Sequence, residues 1–405
     1  MEEDLGKIIQ SQSSRSTAEM FLLGAGSSVD AGIPDTYNMT RKALEIIGTK
    51  NASKGQTKIL KFVIGGLLFQ KGATGGNPYT GVNIEDLFTT IQSLSARHES
   101  EINPFVASWS PLLDEFSTQN VSQTDLRTFL NSLYEPIDKA LKAKGTKKVL
   151  SPSDLSRIQP RLSKLLKQVK SSGKEFSNTN TTLINTLRDI VFLRHNKRLV
   201  YLEPLVQYSI NNKSTIASLN YDNTIELVAK KLSIPITTGI EQWSKIRKIN
   251  KEAKKILLLK LHGSIDWCLS AGEVTAERPI PYFEVREASS EEITERTYNP
   301  ALIFGGRNKL TSEGPFLDIL RKFKSELERV TRLIVVGYSF RDDHINKILT
   351  DWFNSNNRNS MTIIDPFFSN TTNTIKAILA DLESTKRVHI ARNSAKKALV
   401  NLLAN

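Results

Sequence analysis

With 405 residues the chain exceeds the usual size of one domain, and 39% hydrophobic with 24% charged residues is a composition that packs a core rather than staying disordered. One cysteine excludes an intrachain disulfide framework and a four-cysteine zinc module, and the longest apolar stretch, about residues 62–69, is too short and glycine-broken to span a bilayer. The formal charge of +13 favours acidic partners such as nucleotides, nucleic acid or an acidic protein surface, although no nucleic-acid motif accompanies the basic runs at 139–148 and 245–255.

The acidic start Met1-Glu2-Glu3-Asp4 lacks the basic and apolar segments of a secretory signal, which points to a cytoplasmic protein. The run Glu19 to Leu23 ends at Gly24-Ala25-Gly26 and predicts a buried strand entering a glycine turn and then a helix. From about Thr40 to Val200 the periodicity turns helical, as in Ile84, Leu87, Phe88, Ile91 and Leu94. Short apolar runs resume at 215–219, 256–259, 302–304, 333–336 and 361–364, and 387–390 predicts an edge strand. Alternation with helical segments such as 222–231 and 345–353 predicts a doubly wound, Rossmann-like α/β fold. Its sheet is expected to be mostly parallel, with a core in 1–40 and 213–405 and a helical insertion in 41–212.

Ligands of such sheets sit at the carboxyl ends of the strands, and each polar motif falls there. In Gly24-Ala25-Gly26-Ser27-Ser28 the glycines permit a tight turn with backbone amides facing a diphosphate, but the third glycine, Gly32, comes too late for the usual dinucleotide fingerprint. A plain structural turn is the alternative. The cluster Ser218-Leu219-Asn220-Tyr221-Asp222-Asn223 puts an amide and a carboxylate at the same edge, with helix capping the simpler role for Asp222 or Asn223. His262, directly after the 256–259 run, supplies the side chain best suited to proton transfer near neutral pH.

Taken in order, Gly24-Ala25-Gly26 with Ser28, Gly32-Ile33-Pro34-Asp35, Asn220 and Asp222, His262-Gly263, and Gly337 with Ser339 resemble the NAD-binding motifs of the sirtuins. The resemblance covers about residues 18–50 and 213–395. It implies that Gly24, Ala25, Gly26, Ser27 and Ser28 meet the diphosphate, that Asp35, Asn220 and Asp222 line the nicotinamide pocket, and that His262 is catalytic. Gly337 and Ser339 would meet the adenosine half, with Asp365 near the adenine ribose.

The single Cys268 departs from the zinc-bearing protein deacylases, and Thr36-Tyr37 replaces the aromatic-arginine pair that often follows the Gly-Ile-Pro-Asp run. The whole pattern looks like the bacterial sirtuin-like defence effectors, which implies an NAD⁺ hydrolase acting as a homo-oligomer, with NAD⁺ as substrate and without zinc. A HerA-type ATPase or a short Argonaute is the partner this implies. Alternatives are a DNA-binding or assembly subunit of a defence complex, and an NAD-dependent deacylase or ADP-ribosyltransferase.

Cleaving the nicotinamide–ribose bond asks a site to orient water, hold ribose hydroxyls and stabilise positive charge, which are tasks for Asn220 and His262 with Asp222 or Asp35. His344, in Arg341-Asp342-Asp343-His344, opens a helix whose carboxylates are expected to cap backbone amides. Glu85 and Asp86 open an amphipathic helix, Cys268 reads as a buried thiol, and His98, His195 and His389 lack metal-spaced partners, so no metal is expected.

Overall fold

The computed structural model describes residues 18–49, 54–77, 81–97, 174–195, 197–272, 282–304, 314–368 and 374–400, with isolated positions between 124 and 163 and at 274 and 280. Met1 to Asp4, His98 and the basic run 139–148 lie outside the described residues. The chain divides into two compact units, Met1–Lys42 with Asn83–Asp86 and Leu187–Asn405 in one, Ala43–Val82 with Leu87–Thr186 in the other.

The described strands are β1 (Glu19–Leu23), β2 (Thr215–Ser218), β3 (Ile236–Thr237), β4 (Ile256–Lys260), β5 (Gly263–Ala271), β6 (Phe283–Glu287), β7 (Pro300–Leu302), β8 (Arg332–Val336), β9 (Ser360–Ile364) and β10 (Val388–Ala391). The described α-helices are α1 (Thr36–Thr49), α2 (Lys54–Ala73), α3 (Ile84–Ser95), α4 (Lys174–Val191), α5 (Glu203–Asn211) and α6 (Thr224–Lys231). They continue with α7 (Ile240–Ile246), α8 (Ser290–Glu295), α9 (Phe316–Leu327), α10 (Asp343–Ser355), α11 (Thr374–Asp381) and α12 (Ala395–Val400).

In the first unit a parallel sheet runs in the order β10-β9-β8-β1-β2-β4-β3. The chain steps from β1 to β2 on one side and later to β8 on the other, so the order reverses between β1 and β8, the place where open α/β sheets take their ligands. Successive strand residues point to opposite faces, and both faces are covered. Met20, Leu22, Leu257, Leu259, Leu333 and Val335 pack with α9 and α10 through Ile319, Phe323, Ile345 and Leu349. Phe21, Leu23, Leu258, Ile334 and Val336 pack with α5, α6 and α12 through Leu205, Val228 and Leu399. The continuous apolar runs are what a sheet buried on both faces requires, and β10 is the edge that the sequence indicates.

The run 302–304 is a correction. Its strand is β7, Pro300–Leu302, and it pairs antiparallel with β5 in a separate sheet of order β6-β5-β7 rather than joining the parallel sheet. The physical cause is Gly263, whose φ of +82° turns the chain at the end of β4 and starts β5; a Cβ there would meet the Ala301 carbonyl oxygen at 2.0 Å. In the second unit the described residues are mostly helical, with 74–77 and 81–82 lying outside the helices. Leu87, Phe88 and Ile91 of α3 are buried, as their spacing indicates, and Arg97 lies 5.4 Å from the Phe176 ring centre.

Candidate active site

The carboxyl ends of β1, β2, β4 and β8 carry the polar segments, because parallel strands deliver their exits to one edge. Main-chain bonds lock these exits together: Gly24 N–H donates to the Val336 carbonyl (2.9 Å), Leu219 N–H to Leu23 (2.9 Å) and Leu261 N–H to Ser218 (2.9 Å). The residues after β1 form a short 3₁₀ helix, Ala25–Ala31, rather than an α-helix.

The glycines of the two central turns face each other. A Cβ on Gly26 would lie 2.8 Å from the Gly337 Cα, and one on Gly337, at φ +63°, would lie 2.3 Å from the Ser27 nitrogen. Gly26 N–H also donates to the Gly337 carbonyl at 2.9 Å. Close backbone packing at the switch point therefore demands these glycines before any ligand does. The turn is fastened further by the Ser27 hydroxyl, which donates to the Gly24 carbonyl (2.7 Å), and by the Tyr201 hydroxyl, which donates to the Ser27 carbonyl (2.5 Å).

Asn220 reaches this turn directly. Its Nδ2 contacts the Gly24 carbonyl (3.0 Å), Ser27 Oγ (3.1 Å) and Ser28 Oγ (3.1 Å), which leaves Oδ1 as the atom able to hold a water or hydroxyl. The Ser28 hydroxyl donates to Asp222 Oδ2 (2.7 Å), while Asp222 Oδ1 accepts from the Thr224 amide (3.2 Å) and hydroxyl (2.6 Å) at the start of α6. Beneath them the buried Lys260 ammonium donates to the Asp222 carbonyl and stands 3.4 Å from Glu226. Burial pushes the Glu226 carboxyl up to about 7, against the pull of Lys260.

His262 is clamped at both ring nitrogens. Nδ1 lies 3.1 Å from the Leu219 carbonyl oxygen and Nε2 lies 2.9 Å from Asp342 Oδ2, with both side chains only 5% exposed. A carbonyl only accepts, so Nδ1 carries a hydrogen, and the contact between Nε2 and the carboxylate requires one more proton in the pair. Asp342 has a second duty: its Oδ1 accepts from the His344 (3.0 Å) and Ile345 (3.3 Å) amides and caps α10. The capping expected of this segment is present, whereas its link to His262 escaped sequence reasoning, since 80 residues separate the two and nothing local marks the contact. A small cavity beside them is lined by Leu261, Phe316, Leu320, His344 and Ile345. Tyr221 and Tyr338 stand nearby, both phenols pushed well above their ordinary range by burial.

The other expected residues are more dispersed. Asp35 caps the start of α1, accepting from the Tyr37 (2.9 Å) and Asn38 (3.0 Å) amides with Oδ1 and from Asn38 Nδ2 (2.5 Å) with Oδ2. The Arg341 guanidinium lies over the Tyr37 ring at 4.6 Å, an aromatic–arginine contact drawn from two distant segments. Ser339 is exposed, and Asp365, after β9, accepts from the Phe367 amide (2.9 Å) and faces Lys376 at 3.8 Å. Cys268 is a buried free thiol in β5, raised by burial. Among the described residues no group of three His, Cys, Asp or Glu is placed to hold a metal, and no helix is long and apolar enough to cross a membrane.

A family model described as the SIR2-like domain matches residues 214–386. A solved structure described as "Structural Basis for the Mechanism and Regulation of Sir2 Enzymes" is similar at 10% identity and a TM-score of 0.40, covering 100% of this chain and 97% of that one. Another, "Structure of Sir2Tm bound to a propionylated peptide", is similar at 9% identity and a TM-score of 0.39, covering 99% and 98%. The comparison with curated proteins found no match.

Proposed function

From a chain that is sirtuin-like, with residues 214–386 matching the SIR2-like domain of an NAD-dependent enzyme family, we propose an NAD⁺ hydrolase that cleaves the nicotinamide–ribose bond to give nicotinamide and ADP-ribose. The observation that carries the proposal is a pair of adjacent bonds: Asn220 bonds the Gly24 carbonyl of the β1 turn, while His262 bonds the carbonyl of Leu219, the residue before Asn220.

The leaving nicotinamide is already cationic, so as the C–N bond breaks its electron pair neutralises the ring and the positive charge passes to the ribose. Asn220 Oδ1 orients the attacking water. His262, once its Nε2 is released with the shared proton left on Asp342, takes the proton that the water loses as the new C–O bond forms. The Asp222 carboxylate supplies negative potential at the developing cation. With Cys268 as the one cysteine, a four-thiolate zinc module is excluded, which favours water over an acyl-lysine as acceptor. By the same motif resemblance, the hydrolase is read as an oligomeric anti-phage effector that depletes cellular NAD⁺ on activation, with a HerA-type ATPase or short Argonaute as partner.

The test is incubation of NAD⁺ with the purified protein, with and without such a partner, and chromatographic measurement of nicotinamide and ADP-ribose. Release by the wild type and its loss in His262→Ala and Asn220→Ala are the expected results. Undiminished turnover in both variants refutes the mechanism.

A further inference from the structure

A second polar cleft, built from residues outside the proposed catalytic set, opens in the first unit with a volume of about 260 Å³. The last turn of α4 supplies Arg188 and Asp189, the following segment supplies Phe192 and Arg194, and α8 ends at Arg296 in a left-handed conformation, φ 60°. Asp189 is taken by Arg296, at 2.5 Å. Arg194 bonds a neutral partner, the Thr294 hydroxyl, at 3.3 Å.

Arg188 is the unusual member. It is 4% exposed, lies 4.4 Å over the Tyr298 ring, and donates through Nη2 to the Tyr298 carbonyl at 3.2 Å. Its Nε and Nη1 are buried without a partner among the described residues. Buried donors are almost always satisfied, and guanidinium donors match the oxygens of carboxylates and phosphates. Burial also holds this guanidinium below its ordinary value.

The charge count narrows the ligand. Arg296 and Asp189 cancel, which leaves Arg188 and Arg194 as the two uncancelled cations among the residues lining the cleft, the complement of a dianion. A phosphomonoester carries about −1.5 to −2 at neutral pH, whereas a carboxylate carries one charge. The volume lies below the ~300–1,000 Å³ typical of sites for drug-sized ligands, so the space suits a phosphate with one small ring and not a dinucleotide. Phe192 and Ile293 offer that ring an apolar wall. We propose that this cleft binds a small phosphomonoester, with Arg188 and Arg194 on the phosphate and the Thr294 hydroxyl beside them.

Calorimetric titration of the full-length protein with ribose 5-phosphate tests it, with ribose as the uncharged control. Expected are saturable binding of ribose 5-phosphate, none of ribose, at least ~10-fold weakening in Arg194→Gln, and loss in Arg188→Met. Circular dichroism reports whether Arg188→Met folds; if it does not, Arg194→Gln decides, because its side chain is exposed. Absence of saturable binding in the wild type, or unchanged affinity in Arg194→Gln, overturns the proposal.

Discussion

Replacing Asp342 by asparagine and by alanine separates the two duties of one carboxylate. Oδ1 caps α10 through two backbone amides, and Oδ2 meets His262 Nε2 at 2.9 Å. Asparagine caps about as well as aspartate, and its amide can donate to a neutral imidazole that keeps its hydrogen on Nδ1 for the Leu219 carbonyl. The loss is then the difference between a charge-assisted and a neutral hydrogen bond, roughly 1 kcal/mol. Alanine removes the cap as well, worth about 1 kcal/mol, and leaves Nε2 unsatisfied at a buried position, for a total of roughly 3–4 kcal/mol.

The assay is urea unfolding followed by tryptophan fluorescence, because three of the four tryptophans, Trp243, Trp267 and Trp352, lie in the first unit, with Trp109 replaced by phenylalanine in every variant so that the signal comes from that unit alone. The order of stability expected is wild type, then Asp342→Asn, then Asp342→Ala, with about 2 kcal/mol or more between the variants. Equal midpoints for Asn and Ala would refute the division of labour between the two oxygens.

Glu226 gives a pH dependence. Its folded value of about 7 lies above the ordinary 4.5, so the folded chain holds this proton more tightly than the unfolded one. The stability it contributes is full below pH 4.5 and lost as pH rises through 7, by roughly 3 kcal/mol, and Glu226→Gln flattens that fall in urea midpoints between pH 4.5 and 8. A wild type and Gln variant with parallel pH profiles would contradict it. Gly337→Ala meets backbone atoms at 2.3–2.5 Å at a left-handed position and is expected to lose roughly 2–4 kcal/mol. In contrast, Gly48→Ala, in α1 with nothing within 4 Å, gains about 0.5–1 kcal/mol, read by far-ultraviolet circular dichroism in urea because Gly48 belongs to the second unit.

The sequence revealed the fold wherever burial alone decides it. β1, β2, β4, β8 and β9 are apolar on both faces, so composition marks them, and parallel pairing then brings Asn220, His262 and Gly337 to one edge. It did not reveal which sheet a short run joins. Leu302 is as apolar as its counterparts in the parallel sheet, and only the turn at Gly263 sends the chain back to pair with it. β3, two residues long, carries no periodicity. The glycines were visible, but their use was not, since Gly26 and Gly337 are matched by a backbone contact across 311 residues of chain that no local pattern encodes.

The same packing bears on how the proposed reaction could begin. Asn220 is 8% exposed, Asp222 and His262 5% each, and their side chains already bond the turn, α6 and Asp342. Substrate reaches His262 only if a contact gives way, and the contacts differ in what they hold. Opening the Asn220 bonds would loosen the β1 turn, and freeing Asp222 would strip the first turn of α6. Releasing His262 from Oδ2 of Asp342 leaves Oδ1 on the α10 amides, so the ring can exchange a carboxylate for a water or ribose hydroxyl while the helix stays capped. Of the bonds that close this site, that one exchanges with the least disturbance of the sheet edge. A variant that weakens it while keeping the cap, Asp342→Asn, is therefore expected to lower the barrier to substrate entry even as it removes the carboxylate that keeps the shared proton when the ring is released. The two effects separate in kinetics, as a fall in KM together with a fall in kcat. A kcat loss without any change in KM would argue that the ring is not released on binding.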